Sequence, residues 1–239
     1  MPNFARLERL STNRVNERSG NLMSRSLYYA EMRALAQAKR AQYNVETASL
    51  NLRFVQGIYR NEGIKIDYWD TKRRKIRAAY FCDDGDFSVM INKSLPREPK
   101  LFALVHELKH HYKDQLLIQA GAIRCGDYNA GELIEKGAEV FAAEFIYPEE
   151  EMRQLLEQMG ITKENCSPES VVEVKRACGA PVSYMFLMKR FEWFNLIERG
   201  EYSKVQFTKL EESIYGPAFY KQDWFKQSRA RKSARRANP

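Results

Sequence analysis

The chain has 239 residues, of which 44% are hydrophobic and 12% aromatic, an ordinary composition for a folded globular protein. No segment approaches the roughly 18 consecutive apolar residues of a membrane span, and the N-terminal segment lacks the apolar core of a signal peptide. These features exclude a membrane-spanning class and favour a soluble cytoplasmic protein. The four cysteines are widely spaced without a CxxC pair, which predicts reduced thiols rather than a zinc knuckle or a redox motif.

The net charge of +8 is concentrated at the two ends of the chain. Residues 1–40 contain eight Lys or Arg against three Glu, and residues 226–239 contain six Lys or Arg and no acidic residue. We predict a polar, basic N-terminal arm over residues 1–42 and a basic tail over residues 226–239. The tail is expected to be disordered because it lacks apolar side chains to bury. The tails either keep the protein in solution or contact a polyanion such as DNA.

The first predicted elements are a helix and a β-hairpin. Apolar residues from Leu50 to Tyr59 recur at helical spacing, and Gly63 ends this helix. The runs IRAAYFC and FSVMIN, separated by DDGD, predict a hairpin across residues 76–92. A loop with two prolines follows, and Pro99 is expected in the first turn of the helix KLFALVHELKHHYKDQLLIQ.

The remaining elements are predicted to be helical. A Gly-rich linker over residues 121–131 precedes the helix ELIEKGAEVFAAEFI, which stops before Pro148. Further on, Ser167 is the expected N-cap of a helix that begins with Pro168 and ends before Gly179. This helix and the next resemble a helix-turn-helix, although an ordinary pair of antiparallel helices has the same pattern.

The order of these elements predicts the fold class. We expect an α+β protein that is mostly helical, with one small β-sheet early in the chain and a helical, helix-turn-helix-like C-terminal region. The predicted boundaries give a central domain over residues 43–150 and a C-terminal helical region over residues 151–225.

All three histidines lie in the segment VHELKHHYK, residues 105–113. His106 and His110 are four residues apart, so on a helix their imidazoles lie on one face and can converge on a single metal ion. Glu107 lies beside them and can accept a proton from a metal-bound water. Neutral imidazole suits zinc. His111 lies about 100° around the helix from His110, so we predict that it is not a ligand.

Zinc in a catalytic site usually takes three protein ligands, so a third ligand is needed. The next predicted helix carries Glu132, Glu135 and Glu139 along one face. Such a stripe is often only a solvated acidic face. Here the helix is otherwise apolar and ends in FAAEFIYP, which is typical of a buried helix and favours a metal-binding role for one of the three carboxylates.

Two segments, INKSLPREPKLFALVHELKHH and IEKGAEVFAAEFIYP, resemble the ImmA/IrrE family of zinc-dependent metallopeptidases. Members of this family show a strand, an N-x-x-L-P-like loop, an HELGH-like helix and then an E-x-E-A-N-x-F-A-A-x-L-L-M-P-like helix. The resemblance covers about residues 45–150. It implies a zincin-like fold of the thermolysin-like type, with the metallopeptidase domain over residues 43–150.

The resemblance also assigns the third ligand. Placing Phe141, Ala142 and Ala143 on the F-A-A of the family implies that Glu135 binds the metal. Glu139 then stands where the family has Asn or Asp, a position from which a carboxylate can orient a ligand imidazole. The chain departs from the family at Lys109, in place of the glycine of HELGH, and at Gly137, in place of the second glutamate of E-x-E. We expect both departures to leave the site intact.

The implied activity is hydrolysis of a peptide bond. Zn²⁺ held by His106, His110 and Glu135 would activate a water molecule, and Glu107 would move the proton to the leaving amine. In similar zinc peptidases the strand before the active helix is an edge strand that pairs with extended substrate.

In this chain the strand before the HExxH helix covers residues 87–92, with Val89 and Ile91 as the predicted substrate contacts.

Characterised relatives cut helix-turn-helix repressors and thereby induce mobile-element or stress-response genes. A DNA-bound repressor is therefore the implied substrate, and the basic tails could contact its DNA.

Two other functions remain open from the sequence. The chain could be a DNA-binding regulator that uses its C-terminal helix pair, or a phage or toxin-antitoxin interaction protein, in either case with a structural or vestigial metal site. The second helix of that pair, YMFLMKRFEWFNLIE, has few polar side chains to reach base edges. This composition favours a core helix over a recognition helix.

Overall fold

The computed structural model describes residues 24–70, 77–83, 85–121, 132–218, 221–223 and 225. Residues 1–23 of the predicted arm, residues 122–131 of the predicted linker and the whole predicted tail lie outside this part of the chain. The described chain forms two compact units. One contains the residues up to Arg153 and Gly179–Ser183, and the other contains Gln154–Cys178 and the residues from Tyr184 onward. The predicted class, α+β and mostly helical with a small early sheet, is confirmed.

The first unit begins with helix α1, residues 24–42, where the sequence predicts part of a basic arm. Met32 and Ala36 are fully buried four residues apart, so one face of α1 belongs to the core. The Arg40 guanidinium also donates to the Phe145 carbonyl at 2.6 Å. A narrow apolar stripe in this Arg-rich segment is therefore enough to bury one face of a helix.

Helix α2, Leu52–Asn61, follows a short 3₁₀ turn at Thr47–Ser49 and confirms the first predicted helix. The Asn51 side chain caps its N-terminus by accepting a hydrogen bond from the Phe54 N–H at 3.1 Å. Gly63 follows the helix with a φ of +70°, a conformation that glycine adopts without steric cost. The chain reverses here and enters the sheet.

The sheet has three strands: β1 (Ile64–Trp69), β2 (Ala78–Asp83) and β3 (Asp86–Asn92). Strands β2 and β3 pair antiparallel, which confirms the predicted hairpin. Strand β1 was not predicted, and it pairs parallel to β3 on the opposite side. The strand order is therefore β1-β3-β2, with β3 in the centre.

This order corrects the prediction that residues 87–92 form an edge strand. The backbone of β3 pairs with a strand on each side, and both Val89 and Ile91 are fully buried. Neither residue can therefore pair with an added peptide. The error arose because the parallel partner, β1, lies more than 20 residues earlier in the sequence and carries only a weak alternating pattern.

The helices that carry the predicted motifs come next. Helix α3 covers Arg97–Lys109 and continues through a π-helical segment, His110–Asp114, into the short α4, Gln115–Gln119. Helix α5, Glu132–Ile146, packs against α3. Pro99 lies in the first turn of α3, as predicted. Because α3 and α5 are in contact, the HExxH motif and the glutamate stripe face the same region.

The second unit contains helices α7 (Pro168–Ala177), α8 (Tyr184–Trp193) and α9 (Phe207–Tyr215), preceded in the chain by α6 (Glu149–Gln158). Ser167 caps α7 in a reciprocal capping box with Ser170, which confirms the predicted start of this helix. Helix α7 packs against both α8 and α9. The middle of α8 is buried, including Leu187 and Phe191, which agrees with the composition of a core helix.

Within the described residues, no helix combines the length and the apolar character needed to cross a bilayer.

Helix α1 approaches α5 closely at Gly137. A Cβ atom at this position would lie 2.5 Å from Tyr28 Cε1 and 2.8 Å from its hydroxyl oxygen. A side chain at this position would therefore have to displace the end of the Tyr28 ring. The departure from the family motif at Gly137 makes room for Tyr28 of α1.

This contact predicts that Gly137→Ala changes the free energy of unfolding in opposite directions in the presence and absence of the Tyr28 ring. Gly137→Ala should lower the free energy of unfolding by about 1–3 kcal/mol, because the added methyl group displaces the Tyr28 ring. In a Tyr28→Ala background the same substitution should raise it by up to about 1 kcal/mol, because alanine is the better helix former. Urea unfolding of the four proteins, followed by circular dichroism, measures both effects. An equal effect in the two backgrounds would show that Tyr28 is not the obstacle.

Candidate metal centre

Helices α3 and α5 bring together the three residues of the predicted metal site. The Nε2 atom of His106 lies 3.2 Å from Glu135 Oε2 and 3.3 Å from Nε2 of His110. The Nε2 atom of His110 lies 3.7 Å from Glu135 Oε1. One ligand atom from each residue lies within 4.8 Å of the other two, so this cluster could hold a metal ion.

The donor set and the burial of the cluster suit a catalytic zinc ion. Two imidazole nitrogens and one carboxylate oxygen are a known ligand set for catalytic zinc, in which the fourth position stays open. The His110 side chain is 1% exposed and that of His106 is 12% exposed. His106 is therefore the more exposed of the two imidazoles, whereas His110 is enclosed by the protein.

Negative charge accumulates around the histidines. Burial alone lowers the pKa of the His106 imidazole, but the carboxylates of Glu135, Glu107 and Glu139 outweigh it, and the pKa is raised. A divalent cation placed between these groups would neutralise the excess charge. The electrostatics therefore favour cation binding at the same point as the geometry.

Glu107 is buried next to the cluster, with 5% of its surface exposed. Burial raises the pKa of its carboxyl group, although His106 and His110 act in the opposite direction. A backbone hydrogen bond from Tyr80 in β2 reaches the carboxyl group. Its Oε2 atom is buried and makes no hydrogen bond to any described residue. A buried carboxyl oxygen in this state has capacity for a water molecule or a substrate group.

Asp114 belongs to the site and was missed from the sequence. Its Oδ2 atom lies 2.7 Å from Nδ1 of His110, on the side of the ring away from the cluster. A carboxylate in this position fixes the orientation of the imidazole and leaves Nε2 free for a metal. The spacing from His110 to Asp114 is a recognisable signal in the sequence, but the contact forms within a π-helical segment that the apolar pattern does not reveal.

Lys109 is more closely involved in the site than the sequence indicated. Its side chain is fully buried, and Nζ donates to Asp114 Oδ2 at 2.6 Å and to the Ile134 carbonyl at 3.2 Å. The ammonium group therefore contacts the residue that holds His110 and the residue that precedes Glu135. The replacement of glycine by lysine adds a buried charge behind the metal ligands.

The remaining predicted residues lie around this centre. Glu139 pairs with Lys136 at 2.9 Å and contributes to the raised pKa of His106, so its carboxylate acts on the site electrostatically.

The His111 side chain lies in a different environment. Its Nδ1 atom lies 3.0 Å from the Tyr80 hydroxyl, and its ring meets that of Phe87 edge-on at 4.9 Å. His111 therefore lies outside the metal-binding cluster, as its position on the helix predicted.

The chain matches a known protein family over this region. The model of the IrrE N-terminal-like domain, Peptidase_M78, matches residues 60–192, which is more than half of the chain. No curated protein matches the chain significantly. The matched region contains the HExxH motif of α3 and the metal-facing glutamate of α5, and the structure brings both to one buried centre. The chain therefore belongs to the ImmA/IrrE family of peptidases.

Proposed function

We propose that the protein is a zinc-dependent endopeptidase. The convergence of His106, His110 and Glu135 beside the buried Glu107, in a chain of a peptidase family, carries this proposal. Family membership supports a hydrolase that acts on peptide bonds. The choice of zinc rests on the two imidazoles and one carboxylate, which are a ligand set typical of zinc peptidases.

Different residues of the site would bind the metal, orient its ligands and transfer the proton. Zinc, when bound, lowers the pKa of water towards neutrality and polarises a carbonyl group. His106, His110 and Glu135 would hold it, and Asp114 keeps the proton on Nδ1 of His110. Glu107 accepts a proton from the attacking water and donates it to the leaving amine. Its burial beside the two histidines places the carboxylate within the site for this transfer.

We propose β2, rather than β3, as the strand that pairs with the substrate. The Arg77 carbonyl accepts a hydrogen bond from the Asn92 N–H at 3.0 Å, so the backbone groups of residues 79 and 81 also face β3. The backbone of Tyr80 faces the other way and reaches Glu107. The outer edge of β2 therefore borders the site. An extended peptide that pairs with this edge would place its carbonyl groups near the metal ligands.

The family resemblance supports a specific protein substrate, and a helix-turn-helix repressor is the substrate we propose. Cleavage of such a repressor would release mobile-element or stress-response genes from repression. Basic segments at the ends of the chain would attract the enzyme to DNA on which a repressor is bound. Binding through these segments should weaken as salt concentration rises.

Two adjacent histidines provide a matched test of the metal site. His110→Gln should abolish stoichiometric zinc binding, because it removes one of the three ligands. His111→Gln should leave the zinc content at about one ion per chain, because the His111 ring faces Tyr80 outside the cluster. Mass spectrometry of metals after dialysis measures the content, and circular dichroism shows whether each variant is folded. Equal zinc content in two folded variants would contradict the assignment.

The role of Glu107 predicts a separation of metal binding from activity. Glu107→Gln should retain zinc but lose peptide cleavage by about 10²- to 10⁴-fold, because the amide cannot accept the proton. Zinc content and the appearance of new protein N-termini in cells expressing the parent or the variant measure the two properties.

The same comparison identifies the substrate. New N-termini within helix-turn-helix repressors, found only with the parent protein, would support the proposed substrate. Cleavage confined to other proteins would support a peptidase with a different target. A zinc-loaded Glu107→Gln variant with full activity would show that the mechanism is wrong and would favour a binding or regulatory function.

A further inference from the structure

We propose that Lys109 is a positioning residue that links the two halves of the metal site. The inference rests on the proposed zinc function and gives a role to the residue at which the chain departs from the HELGH-like motif. The histidine ligands come from the helix that starts as α3, whereas Glu135 comes from α5. Lys109 contacts both segments directly behind these ligands.

The first contact runs to His110 through Asp114. One carboxylate oxygen, Asp114 Oδ2, lies 2.6 Å from Nζ of Lys109 and 2.7 Å from Nδ1 of His110. A shared acceptor couples the position of the imidazole to that of the ammonium group. Lys109 therefore fixes the carboxylate that fixes the ligand.

The second contact runs to Glu135 through the backbone. Nζ of Lys109 donates to the Ile134 carbonyl at 3.2 Å, and Ile134 directly precedes Glu135 in the first turn of α5. That carbonyl lies near the N-terminal end of the helix, so its contact with a fixed group restrains where α5 begins. The same ammonium group thus restrains both ligand-bearing segments.

Burial makes these restraints strong. Lys109 is 0% exposed and Asp114 is 2% exposed. A buried ammonium group needs charged or polar partners, because an unpaired buried charge is very costly. Few alternative arrangements satisfy both charges, so the pair selects one geometry of the site even where it adds little net stability. A glycine at position 109 would provide neither the charge nor the restraint.

Helix α1 completes this arrangement. The Tyr28 ring centroid lies 5.7 Å from Nζ of Lys109, and the same ring occupies the space next to Gly137. The two departures from the family pattern, Lys109 and Gly137, therefore meet at one aromatic side chain. Tyr28 lies outside the matched residues 60–192, so a segment beyond the family domain helps to enclose the buried pair.

A double-mutant cycle on zinc affinity tests the inference. We expect Lys109→Met to weaken zinc binding by about 10- to 100-fold, the range typical for residues that orient metal ligands. Asp114→Asn should weaken it by a similar factor. The double variant should lose less affinity than the product of the two single losses, because the part of the Lys109 effect that runs through Asp114 is already lost in Asp114→Asn. Competition with a chromophoric chelator measures the affinity without any need for a peptide substrate.

Lys113→Met is the matched control. Lys113 lies four residues after Lys109, in the π-helical segment that continues α3, but it is half-exposed and pairs with Glu31 on α1 at 2.5 Å. Its loss should leave zinc affinity unchanged. Lys109→Gln, which keeps a donor of similar reach, replaces the Met variant in the cycle if Lys109→Met does not fold.

The outcomes separate this inference from the proposed function. A parent protein that binds no zinc would overturn the function itself. A parent that binds zinc with the same affinity as the folded Lys109 variant would overturn only the positioning role. Losses that multiply fully in the double variant would also overturn it, because they would show that Lys109 and Asp114 act independently.

Discussion

The packing of α3 against α5 is the constraint on which the metal centre depends. Neither helix carries a complete ligand set, and the distance of 3.2 Å between His106 Nε2 and Glu135 Oε2 exists only because the two helices are in contact. Both helices are anchored by buried apolar side chains, the leucines of α3 and the phenylalanines of α5. The apolar core thus determines the position of charged groups that would otherwise repel one another or turn to solvent.

Charge at this centre is arranged in two layers. Glu107, Glu135 and Glu139 surround the open side of the histidines and raise the pKa of His106, a distribution that a dication would balance. Behind the ligands, the Asp114 carboxylate is already balanced by the Lys109 ammonium group at 2.6 Å. The inner layer, formed by the three glutamates around the histidines, therefore carries negative charge that a cation could balance. The outer layer, formed by Asp114 and Lys109, is already balanced within the protein. This separation lets the outer layer keep its geometry whether or not the inner layer holds an ion.

The sequence predicted the parts of this centre that depend on local periodicity. The four-residue spacing of His106 and His110 predicted their convergence, and the family motif indicated Glu135 among three possible carboxylates. Contacts between distant segments were not predictable in this way. The parallel pairing of β1 with β3 turned the expected edge strand into a central one. Asp114 depends on a π-helical turn, and no periodicity in the sequence distinguishes such a turn from an α-helical one.

Lys109 shows most clearly why residue type alone did not predict the environment. Lysine side chains on a helix are usually exposed to solvent. Lys109 does lie on the side of the helix that faces away from the metal-binding cluster. What lies on that far side is set by α1, a segment whose composition resembles a polar arm but whose Met32 and Ala36 are buried. Once α1 covers this side, the lysine cannot reach water and must find a partner within the protein. Asp114 is that partner, and it also contacts the His110 imidazole. The packing of α1 over Lys109 therefore influences the position of a metal ligand. A helix outside the matched family region is thereby coupled to the chemistry of the family motif.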